Sequence, residues 1–497
     1  MTADLDVTTA GAGAPWPELP VPWGHAAEAD DVAVGGPRRR WGGPLDVEGL
    51  AVAGVRETAR AARALGSARG AAPVLAVDSR DVTAAFDSLG HLRVDGRALQ
   101  PWAPLSAFFP AAEGWVRLHA NYPHHRRALL RALTVAASGA DDDAARSGVA
   151  AAVAALPAHA VETRVRAAGG IAAALRTPGE WRGHEQGRVV AAQPLVELGT
   201  RVGDAGPTSG RAGARSLPPT LGLPMAGLRV LDLTRVIAGP TATRVLGALG
   251  ADVLRIDPPG NPELPDAHLD TGFAKRSALA DLAEPAARRR LEALLTAADA
   301  VVTGYRPGAL AVHGFDALSL LGRHPHLVVA ELSAWGHAGT WGRERGFDSI
   351  VQVATGIADV CGAPAGGRRG EGWRPGALPV QALDHTAGYL LAAAVMRLLA
   401  RRGEEGGGHA RLSLAGVARE LLALPGSHAR AETDDARRAG DGHPGAGPAG
   451  VADVPTRRRG SFYGELEYVP APLRLDGDAL DYPSPPDRYG TAALSWR

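Results

Sequence analysis

The second half of this sequence predicts an α/β fold in which a parallel sheet is flanked by helices, and three observations carry the prediction. Apolar runs of strand length at 228–233, 252–256, 300–303 and 327–332 alternate with helix-length runs at 241–249 and 285–297. Between Gly227 and Pro240 a buried strand passes into a helix through a Gly-Pro turn, with Leu228, Val230, Leu231 and Leu233 on the strand. Pro240 suits the first helical position, where its missing N–H costs nothing. The third observation is a long apolar helix predicted at 386–402.

Residues 1–45, rich in Pro, Gly and Ala, form a loose leader. From 46 to 201 the pattern is mixed: short strands at 73–77 and 114–118, the second after a turn at Glu113-Gly114, then helices at 125–137 and 161–175. A Gly/Pro-rich linker at 202–224 divides this region from a core at 225–426. Residues 427–455 are too polar and Gly-rich to pack and are expected to be a mobile loop, and 456–497 a tail lying on the core.

At 497 residues the chain has material for more than one core. Its 53 Lys plus Arg balance its 53 Asp plus Glu, which leaves no electrostatic footprint for nucleic acid or an anionic membrane. The single cysteine, Cys361, excludes an internal disulfide and any multi-cysteine metal site, and fits a reducing compartment, the cytoplasm. No basic, apolar-cored leader and no uninterrupted apolar run of about 18 residues predicts secretion or a membrane span.

Strand, turn, helix, strand and then Asp257 imitate a nicotinamide-binding unit, but the glycines do not fit. A GxGxxG turn lets backbone approach a pyrophosphate, whereas 234–240 supplies one glycine and blocks an N–H with proline. His119, His124 and His125 beside Tyr122 suggest a metal, yet Arg126 and Arg127 would repel a cation and no carboxylate stands at ligand spacing. They read as a solvated basic turn, and Cys361 as a buried thiol. Asp384 heads the apolar helix that follows it. As an N-cap it would accept helix N–H bonds, and the same position favours an ionised carboxylate able to act as a nucleophile.

With these residues in view, 225–426 resembles the class III CoA-transferases of the CaiB/BaiF type, which include formyl-CoA transferase and carnitine CoA-transferase. The motifs run in order: Leu228 to Arg235 with Ala238-Gly239-Pro240; Leu249 to Asp257; Lys275-Arg276-Ser277; Ala298 to Gly308; Gly346-Phe347-Asp348 with Gln352; and Leu383 to Gly388. The resemblance implies a Rossmann-like parallel core with a second, smaller α+β domain. It also implies an enzyme that moves CoA from an acyl-CoA to a carboxylic acid through an aspartyl-CoA thioester on Asp384, with no tightly bound cofactor and no metal. Arg235, Ile237 and Ala238 would line the CoA pocket, Gly304, Tyr305 and Arg306 would hold its nucleotide or phosphate end, and Arg345 would add positive charge.

Departures qualify that expectation. Pro258 and Val312 stand where relatives often offer cations to CoA, so a non-catalytic acyl-CoA-binding homologue is an alternative. A related branch, the 2-methylacyl-CoA racemases, places a histidine where this chain has Phe347, which removes the partner for two-base proton exchange. Glu113-Gly114-Trp115 and 176–181 look like small-domain elements that relatives place after the core. Their position here suggests a fused, single-chain form of a dimeric assembly, with a homodimer as the other expectation.

Overall fold

The computed structural model describes residues 15–24, 32–38, 41–71, 73–99, 103–136, 142–200, 215–220, 222–363, 372–425 and 454–497. Most of the expected linker at 202–224 and nearly all of the expected loop at 427–455 lie outside them, as does part of the leader.

Its centre is a seven-stranded sheet in the spatial order Lys275–Leu279, Asp252–Asp257, Arg229–Leu233, Ala300–Thr303, Val328–Ser333, Gly408–Ser413, Val196–Thr200. The first six are parallel and the last, from the first half of the chain, is antiparallel. Counted from Arg229, the parallel strands follow the doubly wound order 3-2-1-4-5-6. These strands are apolar because helices cover both faces: Leu231 and Val301 are fully buried on one side, Val230 and Val302 on the other.

The helix Ala382–Glu405 runs through the interior, as an all-round apolar helix must. The helix Val47–Ala68 lies across it: a Cβ on Gly54 would sit 3.1 Å from Thr386 Cγ2, and Thr58 Oγ1 donates to the Tyr389 carbonyl at 2.8 Å. Strands from near both ends of the chain share two further sheets, 33–35 and 75–78 with 474–475 and 478–479, and 93–94 and 97–98 with 457–461 and 464–468.

A smaller α+β unit has its own apolar core. Its antiparallel strands Phe108–Pro110, Trp115–Leu118 and Ala172–Ala174 pack against the helices Pro123–Ala132, Asp142–Ala154 and Ala158–Ala167. The helix expected at 161–175 therefore ends at Ala167. Gly169, at φ +79°, turns the chain, and the alanines that follow join the sheet against their helical propensity. Expected helix 285–297 and strand 300–303 match Pro285–Ala297 and Ala300–Thr303.

Candidate active site

In doubly wound sheets a ligand crevice opens at the carboxyl ends of the strands where the order reverses. Here that point lies between Arg229–Leu233 and Ala300–Thr303, so the two segments 234–238 and 304–306 face each other across it. A Cβ on Gly304 would stand 3.7 Å from Thr234 Cβ, ordinary contact. Gly304 and Arg306 are exposed, Tyr305 and Ile237 half-buried, and Ala238 buried.

Arg235 is mostly committed within the protein. Its guanidinium donates to the carbonyls of Asn261 at 2.8 Å and Pro262 at 2.7 Å, lies 3.7 Å from Glu263, and covers the Tyr122 ring. Glu263 also accepts from Arg255 at 2.9 Å, from Tyr122 Oη, and from the Val236 N–H at 2.8 Å. Val236 sits at φ +71°, a left-handed conformation rare for a β-branched residue, so the Glu263 bond holds a strained turn at the crevice mouth.

Arg306 and Arg345 are the exposed cations of the predicted set. Burial and the neighbouring Arg306 charge both lower the pKa of Arg345. Two such guanidiniums near one another fit an anion between them. The first half adds His124, whose pKa is lowered by burial and then by Arg345 and Arg235.

The helix Ala238–Ala248 begins two residues before Pro240, which takes the third helical position, still within the first turn where its missing N–H is no loss. Lys275 braces this start: its ammonium reaches Asp232 Oδ2 at 3.0 Å and the Pro240 carbonyl at 2.8 Å.

Asp384 is not an N-cap. The helix starts at Ala382, so Asp384 is its third residue and is 6% exposed. The N–H groups of Leu383 and Asp384, which lack intrahelical partners, are taken by Asp348 Oδ2 at 2.9 and 3.0 Å. Asp348 opens the helix Asp348–Thr355, and Gln352 one turn on donates to its other oxygen while accepting the Leu378 N–H at 2.9 Å. Burial and then the Asp348 charge raise the Asp384 pKa well above the usual carboxylate range. Burial also raises that of Asp348, opposed by Gln352, by the two N–H bonds and by Arg117.

Arg117 and His119 arrive from the smaller unit, which docks on the Asp348 helix through the Arg176 N–H to Val353 O bond of 3.3 Å. His119 stacks on Phe347 with centroids 4.0 Å apart, and His125 lies edge-on 5.9 Å from the same ring. Both histidines are 4% exposed, so the solvated basic turn expected from sequence is corrected to a buried, neutral pair whose pKa values are lowered mainly by burial. Their apolar cover comes from residues distant in sequence. Among the described residues no cluster of His, Cys, Asp or Glu could hold a metal, and no helix is long and apolar enough to cross a membrane. Burial pushes the Cys361 thiol up to about 12, so it stays protonated.

Sequence reasoning placed Asp348 and Gln352 in a motif without giving either a role. The signal was present: a carboxylate and an amide spaced i, i+4 at a helix start. It missed Glu263, which no local pattern distinguishes, and it read Tyr122 and His119 as part of a solvated turn.

The fold is doubly wound α/β, a class in which ligands bind at the switch point between the strands. Residues 225–455 match the model of CoA-transferase family III. A probable fatty acyl-CoA transferase of Mycobacterium tuberculosis is 32% identical over 37% of this chain and 48% of its own length. A succinate–glutarate CoA-transferase of Agrobacterium fabrum is 29% identical over 47% of this chain and 61% of its own. The crystal structure of a CAIB/BAIF family protein from Brucella suis matches at 26% identity over 41% of this chain and 56% of that one, with a TM-score of 0.36. The chain thus spans about half the length of the curated relatives it matches, 48%, 43% and 31% in the first three.

Proposed function

We propose that this protein moves CoA from an acyl-CoA donor to a carboxylic acid through an aspartyl-CoA thioester on Asp384. The observation that carries the reading is the placement of Asp384: a buried carboxyl whose oxygens have no hydrogen-bond partner among the described residues, on a helix packed against the helix that leaves the switch-point crevice. A carboxylate so placed has no water shell to shed before attack.

In the proposed cycle an Asp384 oxygen attacks the thioester carbonyl, and collapse of the tetrahedral intermediate expels CoA thiolate and leaves a mixed anhydride. The thiolate attacks the Asp384 carbonyl carbon, releasing the donor acid as its carboxylate and forming the aspartyl thioester. The acceptor carboxylate attacks that thioester, giving a second anhydride and CoA thiolate again. Attack of the thiolate on the acceptor's acyl carbon forms the new acyl-CoA and returns the Asp384 carboxylate. One activated acyl bond replaces another at each step, so neither ATP nor a metal enters the balance. Arg306 and Arg345 form the cationic end of the crevice suited to CoA phosphates, with the neutral His124 imidazole beside them, while Arg235, Ile237 and Ala238 shape its wall and Gly304 and Tyr305 its opposite side. The relatives named as acyl-CoA and succinate–glutarate CoA-transferases support the substrate class.

The test is to incubate the protein with acyl-CoA, trap with hydroxylamine or borohydride, and locate the modification by mass spectrometry. Modification at Asp384 is expected, and an Asp384→Ala protein that transfers CoA as well as the wild type overturns the reading. A non-catalytic acyl-CoA-binding protein would bind CoA and leave Asp384 unmodified.

One observation favours a second reading, proton exchange at the α-carbon of an acyl-CoA: the neutral His119 imidazole stacked on Phe347 stands beside the position expected for the missing base. Solvent deuterium entering the α-carbon without dependence on an acceptor acid would favour it over transfer.

A further inference from the structure

Two carboxyl groups compete for one helix end. The first turn of Ala382–Glu405 offers unpaired N–H groups and the positive pole of the helix, which would ordinarily favour an ionised Asp384. Asp348, from a different helix, has taken that place: its Oδ2 accepts the N–H groups of Leu383 and Asp384 at 2.9 and 3.0 Å. Gln352 fixes its other oxygen and is itself fixed by the Leu378 N–H. Asp348 is 0% exposed, so this arrangement is rigid and dry.

We propose that Asp348 is a positioning residue for Asp384, one that pins the first turn of the Asp384 helix and holds the negative charge there in preference to Asp384. This rests on Asp384 being the nucleophile. A carboxylate bonded by two N–H groups and an amide keeps its charge at the expense of a neighbour with no such bonds. The direction of the Asp384 pKa shift, upward by burial and then by Asp348, agrees.

The other groups around the pair leave this assignment intact. From the smaller unit Arg117 acts on Asp348 and favours its carboxylate form, while His119, packed on Phe347, is held neutral by burial. Next on the same helix, His385 is neutral through burial and then Arg244 of the Ala238–Ala248 helix. The Val47–Ala68 helix meets Thr386 with the uncharged Gly54.

The consequence is a division of labour in the first half-reaction. Asp384 must lose its proton before it attacks, and the Asp348 charge makes the resulting carboxylate a stronger base and therefore a stronger nucleophile. It also makes the carboxylate scarcer at low pH.

The experiment is a pH titration of the full-length protein by infrared difference spectroscopy, with Asp384 assigned by subtracting the Asp384→Asn spectrum. In the wild type a carboxyl band is expected to disappear above the ordinary carboxylate range and to be absent from Asp384→Asn. In Asp348→Asn that step should move to lower pH by on the order of one unit or more. In Asp348→Glu, which retains the charge, it should stay near the wild-type position. Should Asp348→Asn fail to fold, the reciprocal measurement decides: in Asp384→Asn, Asp348 should titrate in one step, whereas the wild-type pair titrates in two. An Asp384 step at the ordinary carboxylate pH, or one unmoved by Asp348→Asn, overturns the proposal. Because no turnover is read, that outcome is separate from failure of the thioester trap. If the trap succeeds, its pH profile should move with the infrared step.

Discussion

Gly388 lies against the carbonyl of Ala238 so closely that a Cβ on it would stand 2.4 Å from that oxygen and 2.8 Å from Thr241 Cβ. The contact joins the second turn of the Asp384 helix to the start of the helix that leaves the crevice, so the glycine of one motif sets the distance between two. Gly388→Ala gains helical propensity of up to about 1 kcal/mol but must displace backbone. The expected net loss is about 1–3 kcal/mol, read from the denaturant midpoint. Transfer activity should fall further than the stability loss explains, since the displaced turn directly follows the one that carries Asp384.

Lys275→Met should destabilise the protein by about 3–5 kcal/mol, because it strands a buried carboxylate. Asp232 would keep its bonds from the Thr234 N–H at 2.9 Å and Thr243 Oγ1 at 2.6 Å but lose its ion pair with Lys275, and the Pro240 carbonyl would lose a donor. Pairing Lys275→Met with Asp232→Asn should recover part of the loss in thermal unfolding. A double variant less stable than the sum of the singles would contradict the pairing.

The alternation of strands and helices from 228 to 332 was legible because each element buries a continuous apolar run, a property contained in a few adjacent residues. The crevice was legible too, since strand ends fix where 234–238 and 304–306 fall once the sheet is parallel. What escaped is non-local. The bond between Asp348 and the Asp384 N–H spans 36 positions, and no window of sequence reveals which helix end receives a distant carboxylate. The burial of His119 and His125 depends on Phe347, more than 200 positions away, so a segment that reads as polar became interior. Alanines 172–174 read as helix by propensity and became strand because sheet pairing outweighed a preference worth tenths of a kcal/mol each.

Val236→Gly should relieve the left-handed strain at the crevice mouth. A β-branched residue at φ +71° costs on the order of 1–2 kcal/mol that glycine avoids. Stability should therefore hold or rise slightly, against the loss of a partly buried side chain, while the freed turn positions Arg235 and Ile237 less well. Calorimetry is expected to show little change in Tm, and KM for the acyl-CoA to rise with kcat nearly unchanged. A fall in kcat alone would place the role of Val236 in chemistry instead of binding.

The buried histidines should make the protein acid-sensitive. Burial, then Arg244, lowers the His385 pKa to about 3, and burial is the main cause that takes His125 to about 3 and His268 to about 4. In each case the folded pKa lies below the unfolded value of about 6.5, so the unfolded chain binds more protons between these limits and stability falls as pH drops through that window. His385→Gln removes one of these titrations. The difference in unfolding free energy between pH 7 and pH 4 should narrow in that variant, whatever its stability at pH 7. An unchanged difference would mean that His385 is protonated in the fold.

Asp384 has the opposite sign. Its folded pKa is raised, so its contribution is full below the unfolded value of about 3.9 and is lost as pH rises toward the folded value, where a buried charge must exist beside that of Asp348. Asn reproduces the protonated form at nearly the same volume. Asp384→Asn should therefore abolish transfer and yet be more stable than the wild type at neutral pH, with the gain shrinking toward pH 4. Thermal unfolding of both proteins from pH 4 to pH 8 measures it directly. Equal Tm values across the range would mean that Asp384 ionises in the fold as easily as in water, and the carboxyl would then have no stored basicity to spend on a thioester.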